Sequence, residues 1–365
     1  MSTICLSIIV KNESHVITRC LNSVKPLVDY YYIHDTGSTD GTQESIRQWL
    51  KENDLKGEVI DVPWKNFSHN RSEVLKGSKD KADYSLMVDA DEIIVFKKPP
   101  VNPNKNLTLD IYYVETRMGG SSYFRPQLTS NKINLCYKGV VHEYLECPSD
   151  ATKGRAEDFF NKPLQDSARN QSGDKFKKDI KMLHAALETE TDEFLISRYV
   201  FYLSQSLKDD GQLRQALFYY TKASELCKWN EEVFWSLYKI AELKEQLKYS
   251  HADIIEAYLA AHQYLPTRME SLHGLMRFCR LNKREQLGYM IGKSAITKNR
   301  PPESLFSQDW VYDYGLIDEY AILAYWVGDY RESKRAGGLL LFSKKFPPDQ
   351  EKRIRDNLAF AEAKL

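Results

Sequence analysis

The stretch YSLMVDADEIIVF, residues 84–96, interrupts an apolar run with three carboxylates. Residues 84–88 have the apolar character of a buried strand, and Asp89, Asp91 and Glu92 follow at once. An isolated Asp-x-Asp pair is a weak signal of a metal site, because acidic residues cap strands and helices in many proteins. The stretch therefore indicates a buried strand that ends at a polar edge.

Three more strand-like runs precede this one and alternate with helical patterns. Residues 4–10, 30–35 and 58–62 are largely apolar, and amphipathic patterns follow each of them. This βαβαβαβ order predicts an α/β domain with a mainly parallel sheet and helices on both faces, since strands without a wet face must be covered on both sides.

Polar motifs follow three of the four strands. Asn12 and Glu13 come after the first strand, Asp35 begins DTGSTDGT after the second, and Asp89 and Asp91 come after the fourth. The carboxyl ends of parallel strands meet at one edge of a sheet, where such proteins bind ligands. Within the second motif, Asp40 is expected to hold the turn and cap the next helix.

The middle of the chain changes character. A Pro/Asn-rich loop over 97–106 leads to alternating runs over 107–117 and 133–141, and the intervening Gly-Gly-Ser-Ser predicts a hairpin. The sequence from 151 to 175 is polar with little periodicity, which suggests a connection or a lid. Arg169 and Lys175 in it are candidates to close over phosphates.

From residue 176 to 365 the pattern is helical, and the helices come in pairs. Residues 201–226 and 321–347 share a large aromatic, a Gly in a turn, an Ala on the next helix and a terminal aromatic or Pro, as in tetratricopeptide units. We therefore predict a domain at 1–150, a connection at 151–175 and an all-α domain of three to four helical hairpins after it.

Composition limits the choice of partners and compartment. Lys plus Arg and Asp plus Glu each total 51 in 365 residues, so no bulk attraction to nucleic acid or anionic membrane is expected. No run is long enough to cross a membrane, and the N-terminus lacks the basic region of a signal peptide. Six scattered cysteines without a CxxC pair favour free thiols, hence the cytoplasm, or the host cytoplasm for a viral protein.

Together, SIIVKNESHVITRCLNSV (7–24), YIHDTGSTDGT (32–42) and YSLMVDADE (84–92) resemble the GT-A fold of family 2 glycosyltransferases in order and spacing. The resemblance covers roughly residues 4–145. The helical part looks like a subgroup that joins this domain to tetratricopeptide-like helices.

The resemblance implies a nucleotide-sugar donor, expected to be a UDP-sugar. By this resemblance Asp35 would hydrogen-bond the uracil ring, and Lys11, Asn12 and Glu13 would lie beside the nucleoside. Asp89 would reach the ribose or a metal ion. Asp91 would take part in catalysis by holding Mn²⁺ or Mg²⁺ against the diphosphate.

Two further positions follow from the same resemblance. Arg71 matches an arginine on the helix after the third strand, where it would grip a phosphate, and a solvated helix charge is the alternative. YKGVVHEYL (137–145) resembles a G-x-(I/V)-H-E segment. It implies Glu143 as the general base and His142 as a third metal or phosphate ligand, unless one of them only orients the other.

The implied activity is an inverting hexosyl transfer to an acceptor hydroxyl or thiol on a protein, peptide or glycan. One alternative is a helical-repeat scaffolding protein with an inactive GT-A half. A sugar nucleotidyltransferase would want a Gly-rich triphosphate loop where this chain has VKNES. The helical region would either recognise an acceptor or form a homodimer.

Overall fold

The structure is a computed structural model that describes residues 2–98, 106–118, 121–301 and 304–365. It has two compact units, Met1–Glu188 and Thr189–Leu365. The predicted division at 150 and 176 therefore differs from the observed one. Most of the predicted Pro/Asn-rich loop over 97–106 lies outside the described residues.

One sheet of eight strands forms the centre of the first unit, in the order β3-β2-β1-β4-β7-β6-β10-β5. A separate two-stranded sheet pairs β8 with β9. The strands are β1 (Ile4–Val10), β2 (Tyr30–Asp35), β3 (Gly57–Asp61), β4 (Tyr84–Leu86), β5 (Glu92–Phe96), β6 (Ile111–Met118), β7 (Ser121–Ser130), β8 (Cys136–Lys138), β9 (Tyr144–Glu146) and β10 (Lys153–Pro163).

Helices cover both faces of the parallel half of the sheet, as the sequence predicts. On one face Leu6 and Ile8 pack with Leu21, and on the other face Cys5 packs with Val74. The helices up to the unit boundary are α1 (Ile17–Val24), α2 (Thr42–Glu52), α3 (Phe67–Ser78), the short α4 (Ala168–Gln171) and α5 (Lys175–Thr189). Strands β3, β2, β1 and β4 run parallel.

Two predictions for the middle of the chain are wrong. The hairpin partner of β6 is β7 and not the run over 133–141, of which only β8 is a strand. The segment 151–175 is not a free connection, because β10 lies between β6 and β5 in the sheet. Its charged residues are exposed while Phe159 and Asn161 are buried, so the polar composition does not reveal the strand.

The second unit consists of paired helices, which agrees with the predicted tetratricopeptide-like hairpins. Consecutive helices pack as the pairs α6/α7, α8/α9, α10/α11 and α12/α13, followed by α14. Their bounds are α6 (Glu193–Asp209), α7 (Leu213–Leu226), α8 (Asn230–Gln246), α9 (His251–Tyr264), α10 (Glu270–Leu281), α11 (Glu285–Ala295), α12 (Leu316–Trp326), α13 (Tyr330–Ser343) and α14 (Glu351–Glu362).

Small residues let neighbouring helices approach. A Cβ on Gly292 of α11 would lie 2.6 Å from the Tyr320 ring of α12, so only glycine fits there without movement. Within the described ranges, no helix is long and apolar enough to cross a membrane. All six cysteines carry free thiols.

A fully buried arginine ties the helices of the second unit together. Arg268 donates two hydrogen bonds to Glu270, at 3.0 and 2.9 Å, and one to the Leu305 carbonyl at 3.1 Å. It also pairs with Glu231 on α8. Buried charges of this kind are tolerated only when fully paired, so Arg268 fixes the position of the segment before α12.

We predict that Arg268→Ala lowers the free energy of unfolding by about 3–5 kcal/mol, because it leaves buried carboxylates unpaired. Arg331→Ala, an exposed arginine of α13, serves as the control and should change stability by less than about 0.5 kcal/mol. Urea denaturation followed by far-UV circular dichroism measures both. A loss of less than about 1 kcal/mol in the free energy of unfolding of Arg268→Ala would show that Arg268 and its carboxylates do not hold these helices together.

Candidate active site

The parallel pairing of β1 with β2 and β4 brings three polar strand ends to one edge of the sheet. Val10 lies beside Asp35 in the β1/β2 register, and β4 pairs with the other side of β1. Asn12, Asp35 and the turn after β4 therefore follow neighbouring strands at their carboxyl ends. We call this edge, which carries Asn12, Asp35, Asp89 and Asp91, the candidate site.

Asp35 is fully buried and only half of its carboxylate is satisfied. Its Oδ1 accepts hydrogen bonds from the backbone N–H groups of Gly37 at 2.8 Å and Ser38 at 2.7 Å. Its Oδ2 is buried without a hydrogen-bond partner. Because buried carboxylate oxygens are nearly always paired, Oδ2 is suited to accept an N–H from a ligand.

The loops after β1 and β2 hold each other in place. Asn12 has left-handed backbone geometry, with φ 58°, and its Oδ1 accepts from the Thr39 N–H at 2.8 Å. Asp40 accepts from the Ser14 and Thr42 N–H groups, at 3.0 and 3.1 Å, which agrees with its predicted structural role. The side chain of Asn12 is thus occupied in fixing the loop, while Lys11 is exposed.

Glu92 stabilises the turn after β4. Its Oε2 accepts from the Asp89 N–H, and its own N–H donates to the Asp89 carbonyl, both at 3.0 Å. Burial raises the pKa of Glu92, and the adjacent Arg125 opposes that shift. Glu92 therefore pairs locally in the turn, next to the half-buried Asp89 and the buried Asp91.

Asp89 and Glu143 share one guanidinium. Arg71 Nη2 lies 2.5 Å from Asp89 Oδ1, and Arg71 Nε lies 2.9 Å from Glu143 Oε1. The second contact is an ion pair only, because the Nε–H makes no aligned hydrogen bond. The ring of Tyr137 lies 5.8 Å from the guanidinium carbon. Arg71 thus connects the turn after β4 to the segment that carries Glu143.

That segment is a turn between β8 and β9, so His142 and Glu143 do not lie on a strand. Ser72 on α3 accepts from the Tyr137 N–H at 2.8 Å and so anchors β8. Gly139 and His142 have φ values of 101° and 54°. Positive φ is uncommon outside glycine and marks a locally constrained turn. His142 is exposed and Glu143 is half-buried.

Asp91 faces a different group of residues. Its Oδ2 accepts from the Ser167 N–H and from the Asn170 side chain, both at 3.3 Å. The adjacent Ala168 N–H donates to Glu13 Oε2, also at 3.3 Å. Asp89 and Asp91 therefore contact different residues of the candidate site.

The segment that follows β10 is held against α1. Arg19 binds Asp166 through two hydrogen bonds, at 2.9 and 2.7 Å. Arg169 pairs with Asp179 and lies over the Phe67 ring at 4.4 Å, while Lys175 donates to Asn170 at 2.9 Å. The two cations that were candidates to cover phosphates are thus engaged within the first unit.

The site fits a divalent cation only in part. Asp89 and Asp91 supply oxygen ligands after β4, and the Asp89 side chain is 35% exposed. No group of three or more His, Cys, Asp or Glu residues in the described part of the chain is arranged to hold a metal ion. The structure therefore does not bring His142 to Asp89 and Asp91 as a third ligand. Two carboxylates suffice where substrate phosphates and water complete the coordination.

Strand β7, which the sequence analysis missed, contributes directly to the site. Arg125 pairs with Glu92, and Gln127 Nε2 donates to the Met87 carbonyl at 3.0 Å. Arg125 and Gln127 alternate along SSYFRPQLTS with the period of a strand. Pro126 argues against a strand within a sheet, and the register shifts at this position. The alternating polar residues were the signal that could have identified the strand.

We predict a pH-dependent contribution of Glu13 to stability. Burial raises the pKa of the Glu13 carboxyl from 4.5 to about 7, although the hydrogen bond from the Ala168 N–H acts to lower it. Between these values the folded state keeps a proton that the unfolded state has lost, so stability is greatest below pH 4.5 and falls up to about pH 7. Glu13→Gln should remove a decline on the order of 1 kcal/mol.

The free energy of unfolding, measured by urea denaturation from pH 4.5 to 8, tests this prediction. Exposed Glu44→Gln is the control and should leave the slope unchanged. Equal slopes for the wild type and Glu13→Gln would contradict a raised pKa at Glu13.

Residues 5–98, which contain the polar ends of β1, β2 and β4, match the family described as glycosyl transferase family 2. A TPR repeat-containing protein of Synechococcus elongatus is 26% identical over 153 residues, 40% of this chain and 36% of that protein. An uncharacterized glycosyltransferase of Rickettsia prowazekii is 30% identical over 139 residues, 38% of this chain and 41% of that protein.

The SPbeta prophage-derived glycosyltransferase SunS of Bacillus subtilis is 36% identical over 92 residues, 25% of this chain and 20% of that protein. The chain thus spans less than half the length of these curated relatives. The matching residues coincide with the parallel half of the sheet and its polar edge. Residues 5–98 thus match the family 2 glycosyltransferases, and a tetratricopeptide-like helical region follows that domain.

Proposed function

We propose that the chain is an inverting glycosyltransferase that moves a hexose from a UDP-sugar to an acceptor hydroxyl or thiol. The observation that carries this proposal is the unpartnered buried Oδ2 of Asp35 at the same sheet edge as Asp89 and Asp91. Asp35 Oδ2 can accept a hydrogen bond from a nucleoside base, and the carboxylates of Asp89 and Asp91 can hold a cation against a diphosphate. Together they suit a nucleoside diphosphate bound with a cation. The family 2 match over these residues supports the same interpretation.

The donor would lie along this edge of the sheet. Asp35 Oδ2 would accept the ring N–H of uracil, and Lys11, Asn12 and Glu13 would border the nucleoside. Asp89 and Asp91 would hold Mn²⁺ or Mg²⁺, which neutralises the diphosphate as the glycosidic bond breaks. Arg71 would donate to a phosphate, since its guanidinium already contacts the Asp89 carboxylate.

Glu143 is the proposed general base. It would accept the proton of the attacking hydroxyl or thiol, so that the nucleophile adds to the anomeric carbon as the diphosphate leaves. Its contact with Arg71, at 2.9 Å, keeps it on the same side of the site as Asp89. His142 keeps its proposed role as a phosphate or metal ligand only if the turn rearranges when the donor binds.

The helical unit is the proposed acceptor-recognition region, for a protein, peptide or glycan and not for nucleic acid. Its exposed aromatic side chains include Phe218 and Trp229, each about half exposed. Such rings provide contact area at little entropic cost. A homodimer through the same region is the competing use of these side chains.

We predict that the wild-type chain turns over a UDP-hexose with Mn²⁺, in a panel of UDP-glucose, UDP-galactose and UDP-N-acetylglucosamine. Glu143→Gln should lower turnover by at least ~100-fold, because the acceptor proton then has no base. UDP affinity should stay within about 3-fold, since the base does not hold the donor. Released UDP measures turnover, and isothermal titration calorimetry measures the affinity.

Glu146→Gln is the matched control, three residues further along and more exposed, and it should keep near-normal turnover. Near-normal turnover of Glu143→Gln would contradict its role as the base. Absence of turnover with every donor, together with identical behaviour of Asp91→Ala, would favour a scaffolding protein with an inactive glycosyltransferase half.

A further inference from the structure

Arg71 already occupies the carboxylate that a donor-bound cation would need. Its Nη2 lies 2.5 Å from Asp89 Oδ1, and its side chain is only 14% exposed. A guanidinium at this distance makes a strong charge-assisted contact. A divalent cation that binds Asp89 Oδ1 must therefore displace a resident positive charge.

The guanidinium is placed so that it can exchange partners. One edge, through Nη2, contacts Asp89, while Nε faces Glu143 at 2.9 Å without an aligned hydrogen bond. Arginine has five N–H donors in a planar fork, which matches phosphate oxygens as well as carboxylates. Glu143 and the Tyr137 ring would keep the side chain in the site while its Asp89 edge changes partner.

We propose that Arg71 is the resident counter-ion of Asp89. Asp89 binds a divalent cation only when the Arg71 guanidinium has moved from its carboxylate to a bound diphosphate. This inference rests on the proposed donor site. It deepens that proposal because it makes cation binding and nucleotide binding mutually dependent. By linkage, the factor by which UDP strengthens Mn²⁺ binding equals the factor by which Mn²⁺ strengthens UDP binding.

The second arginine of the site does not have this role. Arg125 pairs with the Glu92 carboxylate, which in turn accepts from the Asp89 backbone N–H. Arg125 thus acts on the turn, because its guanidinium donates to Glu92 and to Thr116. Arg125→Met removes one positive charge from the same cluster without changing the Arg71 guanidinium, so it is the control for net charge.

The test is a titration of the full chain with Mn²⁺, with and without saturating UDP, in which electron paramagnetic resonance counts free Mn²⁺. In the wild type, UDP should strengthen Mn²⁺ binding at least ~10-fold. Arg71→Met should bind Mn²⁺ alone at least ~5-fold more tightly than the wild type, and UDP should strengthen its binding much less. Arg125→Met should bind Mn²⁺ alone within about 3-fold of the wild type.

Two further variants separate direct competition from net charge and from misfolding. Arg71→Met with Glu143→Gln removes one positive and one negative group, and it should still bind Mn²⁺ alone more tightly than the wild type. Arg71→Lys keeps a cation beside Asp89 and should resemble the wild type. It also keeps the comparison possible if the loss of a buried arginine prevents folding, which circular dichroism reports.

Unchanged or weaker binding of Mn²⁺ alone by Arg71→Met and by the double variant would overturn the proposal. So would a gain in Arg125→Met equal to that in Arg71→Met. If the wild type does not bind UDP at any Mn²⁺ concentration, the proposed function fails. The comparison with Mn²⁺ alone still decides whether Arg71 competes for Asp89.

Discussion

The parallel pairing of β1 with β2 and β4 is the constraint on which the candidate site depends. It brings the ends of three strands to one edge, so that residues separated by more than 70 positions in sequence, such as Asn12 and Asp89, follow neighbouring strands. Buried carboxylates at this edge must find partners. Glu92 pairs with Arg125 and Asp89 pairs with Arg71, whereas Oδ2 of Asp35 has no hydrogen-bond partner.

Charge explains why the edge is suited to a bound cation. Around the turn after β4, the four carboxylates of Asp89, Asp91, Glu92 and Glu143 outnumber the two guanidiniums of Arg71 and Arg125. A diphosphate brought to this cluster would be repelled without a cation between them. Arg71 reduces the imbalance in the ligand-free chain by contacting two of the carboxylates at once. Its position links the donor side of the site to the proposed base.

The parallel half of the fold could be predicted from sequence because each strand is apolar throughout and ends in a recognisable polar motif. Strands β7 and β10 could not, since Pro126 lies in one and the other is polar on its outer side. Strand β10 depends on pairing with β5 and β6, which come much earlier in the chain, and β7 pairs with the distant β4 as well as with its neighbour β6. The parallel strand order also predicted that Asp35, Asp89 and Asp91 lie near one another. It did not predict that Arg125 joins them, because Arg125 lies on β7.

The roles within the site were harder to predict, because they depend on which oxygen each side chain leaves available. The sequence cannot distinguish Asp89, whose carboxylate is taken by Arg71, from Asp91, which contacts Ser167 and Asn170. Nor does it indicate that His142 adopts a positive φ in an exposed turn. The helical hairpins could be predicted from their period and small residues, whereas Arg268 and its carboxylates could be found only in three dimensions.

The central claim is that the free oxygen of Asp35 accepts the uracil ring, and UDP affinity measured by calorimetry with Mn²⁺ tests it most directly. In Asp35→Asn, one amide oxygen can still accept from Gly37 and Ser38, while an NH₂ group replaces Oδ2. Affinity should fall about 10- to 100-fold. Asp61→Asn, at the exposed end of the neighbouring β3, should bind as the wild type does. Equal UDP affinity in the wild type and Asp35→Asn would contradict this account of the site.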